Sequence, residues 1–195
     1  MNLFLCLILS VSAAAVPEPR HADNGDRDLP DFKLTAVTVD QTRTLQKKDM
    51  LGKVWIADFM FTRCTGSCPL NSARMEGLQK RLPKDILLAS FTVDPKNDQA
   101  KALREYAEKY HARPGRWMFL TAPDEESLIP LFKDTFHTAY RPSAKAPCGY
   151  ETFHSVKFFL IDRRGSIRGE YTSNDPEQLA RLETDAVKLA KGENE

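Results

Sequence analysis

Trp55-Ile56-Ala57-Asp58-Phe59-Met60-Phe61-Thr62-Arg63-Cys64-Thr65-Gly66-Ser67-Cys68-Pro69 decides the fold, because an apolar run stops there at two cysteines spaced C-x-x-x-C. Between Val54 and Phe61 the only polar side chain is Asp58, the pattern of a central strand covered on both faces. Pro69 then opens an amphipathic series of Leu70, Ala73, Met75, Leu78 and Leu82, which predicts a helix starting at that point. Two soft, oxidisable side chains therefore stand where a strand hands over to a helix. With Cys68 at the helix N-terminus, the unpaired amides there are expected to favour thiolate over thiol, and thiolate is both the metal ligand and the redox nucleophile.

Working outward toward the C-terminus, Ile86 to Val93 reads as a second buried strand. Asp98 to Tyr110 reads as a helix with Ala102, Leu103, Tyr106, Ala107 and Tyr110 on one face, and Asp98 as its N-cap. Trp117 to Leu120 is a short strand and Asp124 to Phe136 a helix. Val156 to Ile161 and Ser166 to Tyr171 form a hairpin turning at Arg164-Gly165, and Asp175 to Ala190 is a closing helix. Toward the N-terminus, Phe32, Leu34, Val37 and Val39 alternate loosely before Asp40-Gln41, so two short strands joined by a turn are expected, ending at Leu51-Gly52-Lys53. Parallel βαβ units followed by an antiparallel hairpin and a last helix describe an α/β, thioredoxin-like three-layer fold. Its central sheet is mixed and carries an N-terminal β extension. The cysteines fall at the C-terminal end of the first buried strand, where ligand chemistry concentrates in open α/β sheets.

The chain has 195 residues, 42% of them hydrophobic, enough for one ordinary core, and a single domain over residues 31–190 is expected. A net charge of +1 argues against a nucleic-acid partner, which needs clustered and unbalanced Lys and Arg. Residues 1–15 form an apolar run ending in small residues, read as a signal peptide or short membrane anchor although its first residues carry no Lys or Arg. Residues 16–30, rich in Pro, Asp, Arg and Gly, read as a flexible tether, and residues 191–195 as a charged tail. The expected location is the periplasm or another extracytoplasmic space, with an anchor to the inner membrane as the alternative to cleavage. Cys6 falls in the export segment. Cys64, Cys68 and Cys148 remain, an odd number in a compartment where thiols become oxidised or ligated.

A C-x-x-x-C pair alone does not separate metal binding from disulfide exchange, and a third ligand would decide. Of the four histidines, His21 lies in the tether, while His111 and His137 each follow a predicted helix and read as helix-end residues. His154 differs, because it stands immediately before the apolar strand that begins at Val156, at a sheet edge that a thioredoxin topology places beside the cysteine loop. Asp58 is expected either to be buried beneath that loop or to pair with a cation.

The run from Trp55 to Pro69 with Cys64 and Cys68, then Phe91-Thr92-Val93-Asp94-Pro95, then His154-Ser155 before Phe158-Phe159-Leu160-Ile161-Asp162 and Gly165, closely resembles the Sco/SenC family. The resemblance covers roughly residues 31 to 190. It implies a thioredoxin-like fold, copper held by Cys64, Cys68 and His154, and a part in assembling the dinuclear copper centre of cytochrome c oxidase. The implied partners are the copper-bearing subunit of the oxidase or another exported copper protein, with a periplasmic copper donor or thiol reductant upstream. The family motif also marks Asp94 as partner-facing. The donor chemistry agrees: two thiolates and an imidazole suit Cu(I), with room for a further weak ligand on Cu(II), whereas a closed zinc site takes a fourth protein ligand. Cys148, six residues before His154, departs from the family pattern and is expected to modulate the site. The competing function is an extracytoplasmic thiol-disulfide reductase using Cys64 and Cys68 as a redox-active pair. Against it stand the three-residue spacing and the absence of a proline immediately before the Val156 strand. A peroxiredoxin-like peroxidase is third, and the Pro-x-x-x-Thr-x-x-Cys arrangement of that family is missing.

Overall fold

The computed structural model describes residues 27–137 and 156–193. The strands are β1 (Arg27–Asp28), β2 (Lys33–Val37), β3 (Thr42–Gln46), β4 (Trp55–Met60), β5 (Leu87–Thr92), β6 (Trp117–Thr121), β7 (Lys157–Ile161) and β8 (Ser166–Thr172). The α-helices are α1 (Lys47–Met50), α2 (Cys68–Arg81), α3 (Ala100–Lys109) and α4 (Pro176–Ala190). The strands form one sheet in the order β1-β8-β7-β4-β5-β6-β2-β3. Within it β4, β5 and β6 run parallel and the outer pairings are antiparallel, so the sheet is mixed as the sequence predicts. The β2–β3 hairpin extends it by pairing β2 with β6, the expected N-terminal β extension.

Every residue of β4 is buried, which is what a central strand of a covered sheet requires. Its side chains alternate between two layers. Phe59 meets Phe132 and Phe136 edge-on, at centroid distances of 5.1 and 4.9 Å, and also meets Phe91 and Phe159. Asp58 points the other way, toward the helices. On that side the Ser72 and Tyr106 hydroxyls link α2 to α3 at 2.8 Å, and Tyr106 packs edge-on against Phe119. Such edge-to-face pairs add about 0.5–1.5 kcal/mol each beyond the area they bury.

The continuous helix predicted for Asp124 to Phe136 is instead a 3₁₀ turn, Glu126–Leu128, followed by a π-helical segment, Pro130–Thr135. Pro130 supplies the reason, since it lacks the amide that a continuing helix would donate and its ring obstructs the preceding turn. Phe132 and Phe136 both still reach the core. The β7–β8 turn falls where expected: Gly165 has φ of +85° and its amide donates to the Asp162 carbonyl. Among the described residues no helix is long and apolar enough to cross a membrane. The export segment, most of the tether, Cys6, His21, Cys148 and His154 lie outside the described residues.

Candidate metal centre

The cysteine loop is fixed at its start by Asp98. Thr62, two residues past the end of β4, donates its amide to Asp98 Oδ2 at 3.0 Å and its hydroxyl to Oδ1 at 2.5 Å, while the Thr92 hydroxyl donates to Oδ2 at 2.5 Å. Asp98 is therefore not the N-cap predicted for α3. That position belongs to Gln99, without a side-chain cap bond, and the Asp98 carboxylate ties the ends of β4 and β5 together. Full burial tends to raise its pKa and the three donors oppose that.

Past Thr62 the chain turns, with the Cys64 amide donating to the Phe61 carbonyl at 3.2 Å. It enters α2 at Cys68, the first helical residue, with Pro69 behind it in the first turn. Asn71 locks that turn: its amide donates to the Ser67 carbonyl at 3.0 Å, and its side-chain oxygen accepts from Ser173 at 2.7 Å. Cys64 is half-buried and Cys68 is buried at 2% exposure, neither is in a disulfide, and the two side chains are hydrogen-bonded to each other. This differs from the expectation of an activated thiolate at a helix N-terminus. The hydrogen bond with Cys64 and burial both push the Cys68 thiol upward, and Asp58 adds to that, so Cys68 is held as a thiol rather than an activated thiolate.

Asp58 lies in β4 beneath the loop, fully buried. Its Oδ1 accepts from the Ser90 hydroxyl at 2.5 Å, and Ser90 in turn accepts from Trp117 Nε1 at 2.9 Å. Its Oδ2 has no hydrogen-bond partner, and burial raises its pKa to about 7 despite the Ser90 bond. Of the two sequence expectations, burial holds, and the partner is a neutral hydroxyl. Asp94 is only 2% exposed and turns inward, accepting from Arg63 Nη2 at 2.6 Å and from Asn97 Nδ2 at 2.8 and 3.0 Å. The expectation of a partner-facing Asp94 is thus corrected; its exposed neighbour Arg63 takes the outward position.

His111 and His137 are helix-end residues, as predicted. Both adopt positive φ, 51° and 46°. The His111 ring meets Glu76 at 3.2 Å, and His137 Nδ1 lies 3.2 Å from the Lys133 carbonyl oxygen. Among the described residues no three His, Cys, Asp or Glu side chains converge as a metal site. Sequence reasoning missed the Thr62–Asp98–Thr92 tie. Its only sequence signal is a threonine ending each of two apolar runs and an aspartate four residues after Asp94.

The family model described as SCO1/SenC matches residues 22–187. A SCO1 protein homolog from Bacillus subtilis is 32% identical over 133 residues, covering 66% of this chain and 67% of its own. The crystal structure of a SCO1/SenC family lipoprotein from Bacillus anthracis superposes with a TM-score of 0.74 at 31% identity, covering 90% of this chain and 99% of that one. A second structure, of BsSco, has a TM-score of 0.71 at 26% identity, covering 88% and 98%; it is described as having a disulfide switch and as a member of a family of cytochrome c oxidase assembly proteins. The fold is shared as well with Arabidopsis thaliana ScoI, solved with copper bound, at a TM-score of 0.63 and 22% identity over 84% of this chain and 98% of that one.

Proposed function

The chain belongs to the SCO1/SenC family, and from that premise we propose that it is an extracytoplasmic copper chaperone. Its cargo is a copper ion held by Cys64, Cys68 and His154, delivered to the dinuclear copper site of cytochrome c oxidase. The observation that carries this reading is the pair of mutually hydrogen-bonded cysteines, not joined in a disulfide, just past the C-terminal end of β4. Two sulfurs already in contact need little rearrangement to ligate one soft ion, and each must lose its proton first, so loading Cu(I) releases protons and weakens as pH falls. The chemistry of the donors fits copper, and relatives in the same family include a copper-bound structure. Release proceeds by ligand exchange to the cysteines and histidines of the acceptor, with no substrate turned over.

The second reading, a thiol-disulfide reductase, is favoured by the same contact. The dithiol can pass two electrons to an acceptor disulfide, closing a Cys64–Cys68 bond as the acceptor becomes a dithiol with two protons. The two readings are joined by a redox gate, since disulfide sulfur has no thiolate charge to give copper.

The test is Cu(I) competition with a chelator at fixed concentration, on reduced chain and on chain with a mapped Cys64–Cys68 disulfide. Uptake of one Cu(I) is expected only by the reduced form. Cys64→Ser, Cys68→Ser and His154→Ala should each weaken it by a factor of ten or more, while His111→Ala, His137→Ala and Cys148→Ser keep the stoichiometry. Wild-type affinity in His154→Ala would remove that ligand. Equal uptake by oxidised and reduced chain would remove the gate.

A further inference from the structure

The end of the sheet opposite the cysteine loop carries a cleft of about 470 Å³ lined by Gln79, Lys80, Arg81, Lys84, Arg113 and Arg116, among others. Because β4, β5 and β6 are parallel, the cysteines follow a strand's C-terminal end, whereas Lys84 precedes β5 and Arg113 to Arg116 precede β6. The cleft is therefore remote from the candidate metal centre.

Five cationic side chains line it in a chain whose net charge is only +1. Three carboxylates offset them. Glu76 pairs with Lys80 at 2.6 Å, Glu183 grips Arg81 through both oxygens at 2.6 to 3.1 Å, and Asp85 acts on Arg116 through its charge. Five cations against three carboxylates leave an excess of two positive charges, and the Lys84 and Arg113 side chains have no carboxylate partner among those three.

The C-terminus of α2 accounts for some of this charge. Lys80 and Arg81 lie in its last turn, where cations complement the helix dipole, and Arg116 Nη1 and Nη2 donate to the carbonyls of Pro83 and Leu82 just beyond it. It does not account for the rest. Arg116 is 6% exposed and its Nε is buried without a hydrogen-bond partner, a donor that burial leaves costly unless something accepts from it. Arg113 arrives from the α3–β6 loop, held there by its amide, which donates to the Gln79 side chain at 2.8 Å. Gln79 also donates to the His111 carbonyl at 3.0 Å, so one buried glutamine sets the loop and with it one wall of the cleft.

We propose that this cleft is a binding site for a phosphate-bearing molecule. Arg81 is held by Glu183 and the Arg116 Nη atoms by backbone carbonyls, so the donors left for a ligand are the Arg113 guanidinium, the Lys84 ammonium and the unpaired Arg116 Nε, which together match the several acceptor oxygens of a phosphoryl group better than the two of a single carboxylate. The room exceeds that of a bare ion. At about 30 Å³ per water of liquid volume, it takes a phosphoryl group together with a glycerol- or sugar-sized substituent. Two sources share that chemistry, a soluble organic phosphate and the glycerophosphate headgroup of an anionic lipid. Occupancy does not depend on copper, so the proposal stands apart from the function assigned to Cys64 and Cys68.

The experiment uses the full chain and the double variant Lys84→Glu/Arg113→Glu, both exposed positions. Binding is read by calorimetric titration with glycerol 3-phosphate, and by co-sedimentation with phosphatidylcholine vesicles with and without phosphatidylglycerol, at low salt and at 0.5 M salt. Both proteins carry the same N-terminal segment, so any difference in sedimentation belongs to the cleft. The expected result is binding by the wild-type chain of at least one probe, reduced tenfold or more in the double variant and by high salt. Thermal midpoint and Cu(I) stoichiometry should be unchanged in the variant, which separates loss of the site from loss of the fold. Titration with glycerol 3-phosphate identifies the soluble source; binding confined to phosphatidylglycerol vesicles identifies the headgroup. No binding of either probe, or equal binding by the two proteins, overturns the proposal.

Discussion

The two faces of β4 are built on opposite principles. On one, Phe59 sits among the rings of Phe91, Phe132, Phe136 and Phe159, a buried aromatic layer. On the other, one residue earlier, Asp58 carries a thread of polar atoms through Ser90 to Trp117, with one carboxylate oxygen unsatisfied. The first face contributes stability that pH does not touch. The second spends stability on a titratable group held beneath two thiols.

The largest effect should come from breaking the aromatic face. Phe59→Ala removes a buried ring with four ring partners among the described residues and is expected to cost about 3–5 kcal/mol, seen as a lower denaturation midpoint at every pH from 4 to 8. A loss under 1 kcal/mol would mean that the aromatic layer is not what holds the sheet to the π-helical segment.

Asp58→Asn sharpens the contrast. In the folded chain the carboxyl keeps its proton up to about 7, whereas in the unfolded chain it ionises near 4. Between those values the unfolded state binds fewer protons than the folded one, so this group makes stability fall as pH rises, by on the order of 4 kcal/mol once pH exceeds about 7. The variant should lose that slope, becoming more stable relative to wild type at pH 8 than at pH 4. Parallel stability curves for the two proteins between pH 4 and 8 would show that Asp58 does not titrate in this range.

A smaller effect is expected where the polar face meets the site. Asp98→Asn keeps the shape but replaces an anion that accepts three hydrogen bonds, and should cost about 1–3 kcal/mol. Its signature is local: the Thr62 amide should exchange with solvent faster while amides of β7 and β8 keep their protection. Unchanged exchange at Thr62 would leave the cysteine loop fixed by something other than Asp98.

Much of this was legible in the chain itself. The apolar run of β4, the cysteines beyond it and the helix opening at Cys68 follow from local pattern, because a covered central strand and a Pro-led helix each leave a periodic signature. The turn at Gly165 was legible for the same reason, since positive φ at a tight turn selects glycine. Reading failed where a residue's partner is distant in sequence. Asp98 looked like a cap because caps are local, yet its three donors come from Thr62, just past β4, and Thr92, at the end of β5. Asp94 was expected to face a partner on the strength of the family motif alone, yet Arg63 pairs with it and it is buried.

The sequence by itself determined the architecture, the family and which side chains can ligate a soft metal, since hydrophobic period, turn chemistry and ligand type are properties of short segments. Tertiary structure alone decided the protonation of the site and the second cleft. A thiol's acidity depends on what buries it and what it touches, and at Cys68 burial and the Cys64 contact outweigh the helix terminus that the sequence offers. Likewise the basic cleft draws Lys84 from the loop before β5 and Arg113 and Arg116 from the loop before β6, cations that meet only when the parallel strands bring their N-terminal ends side by side.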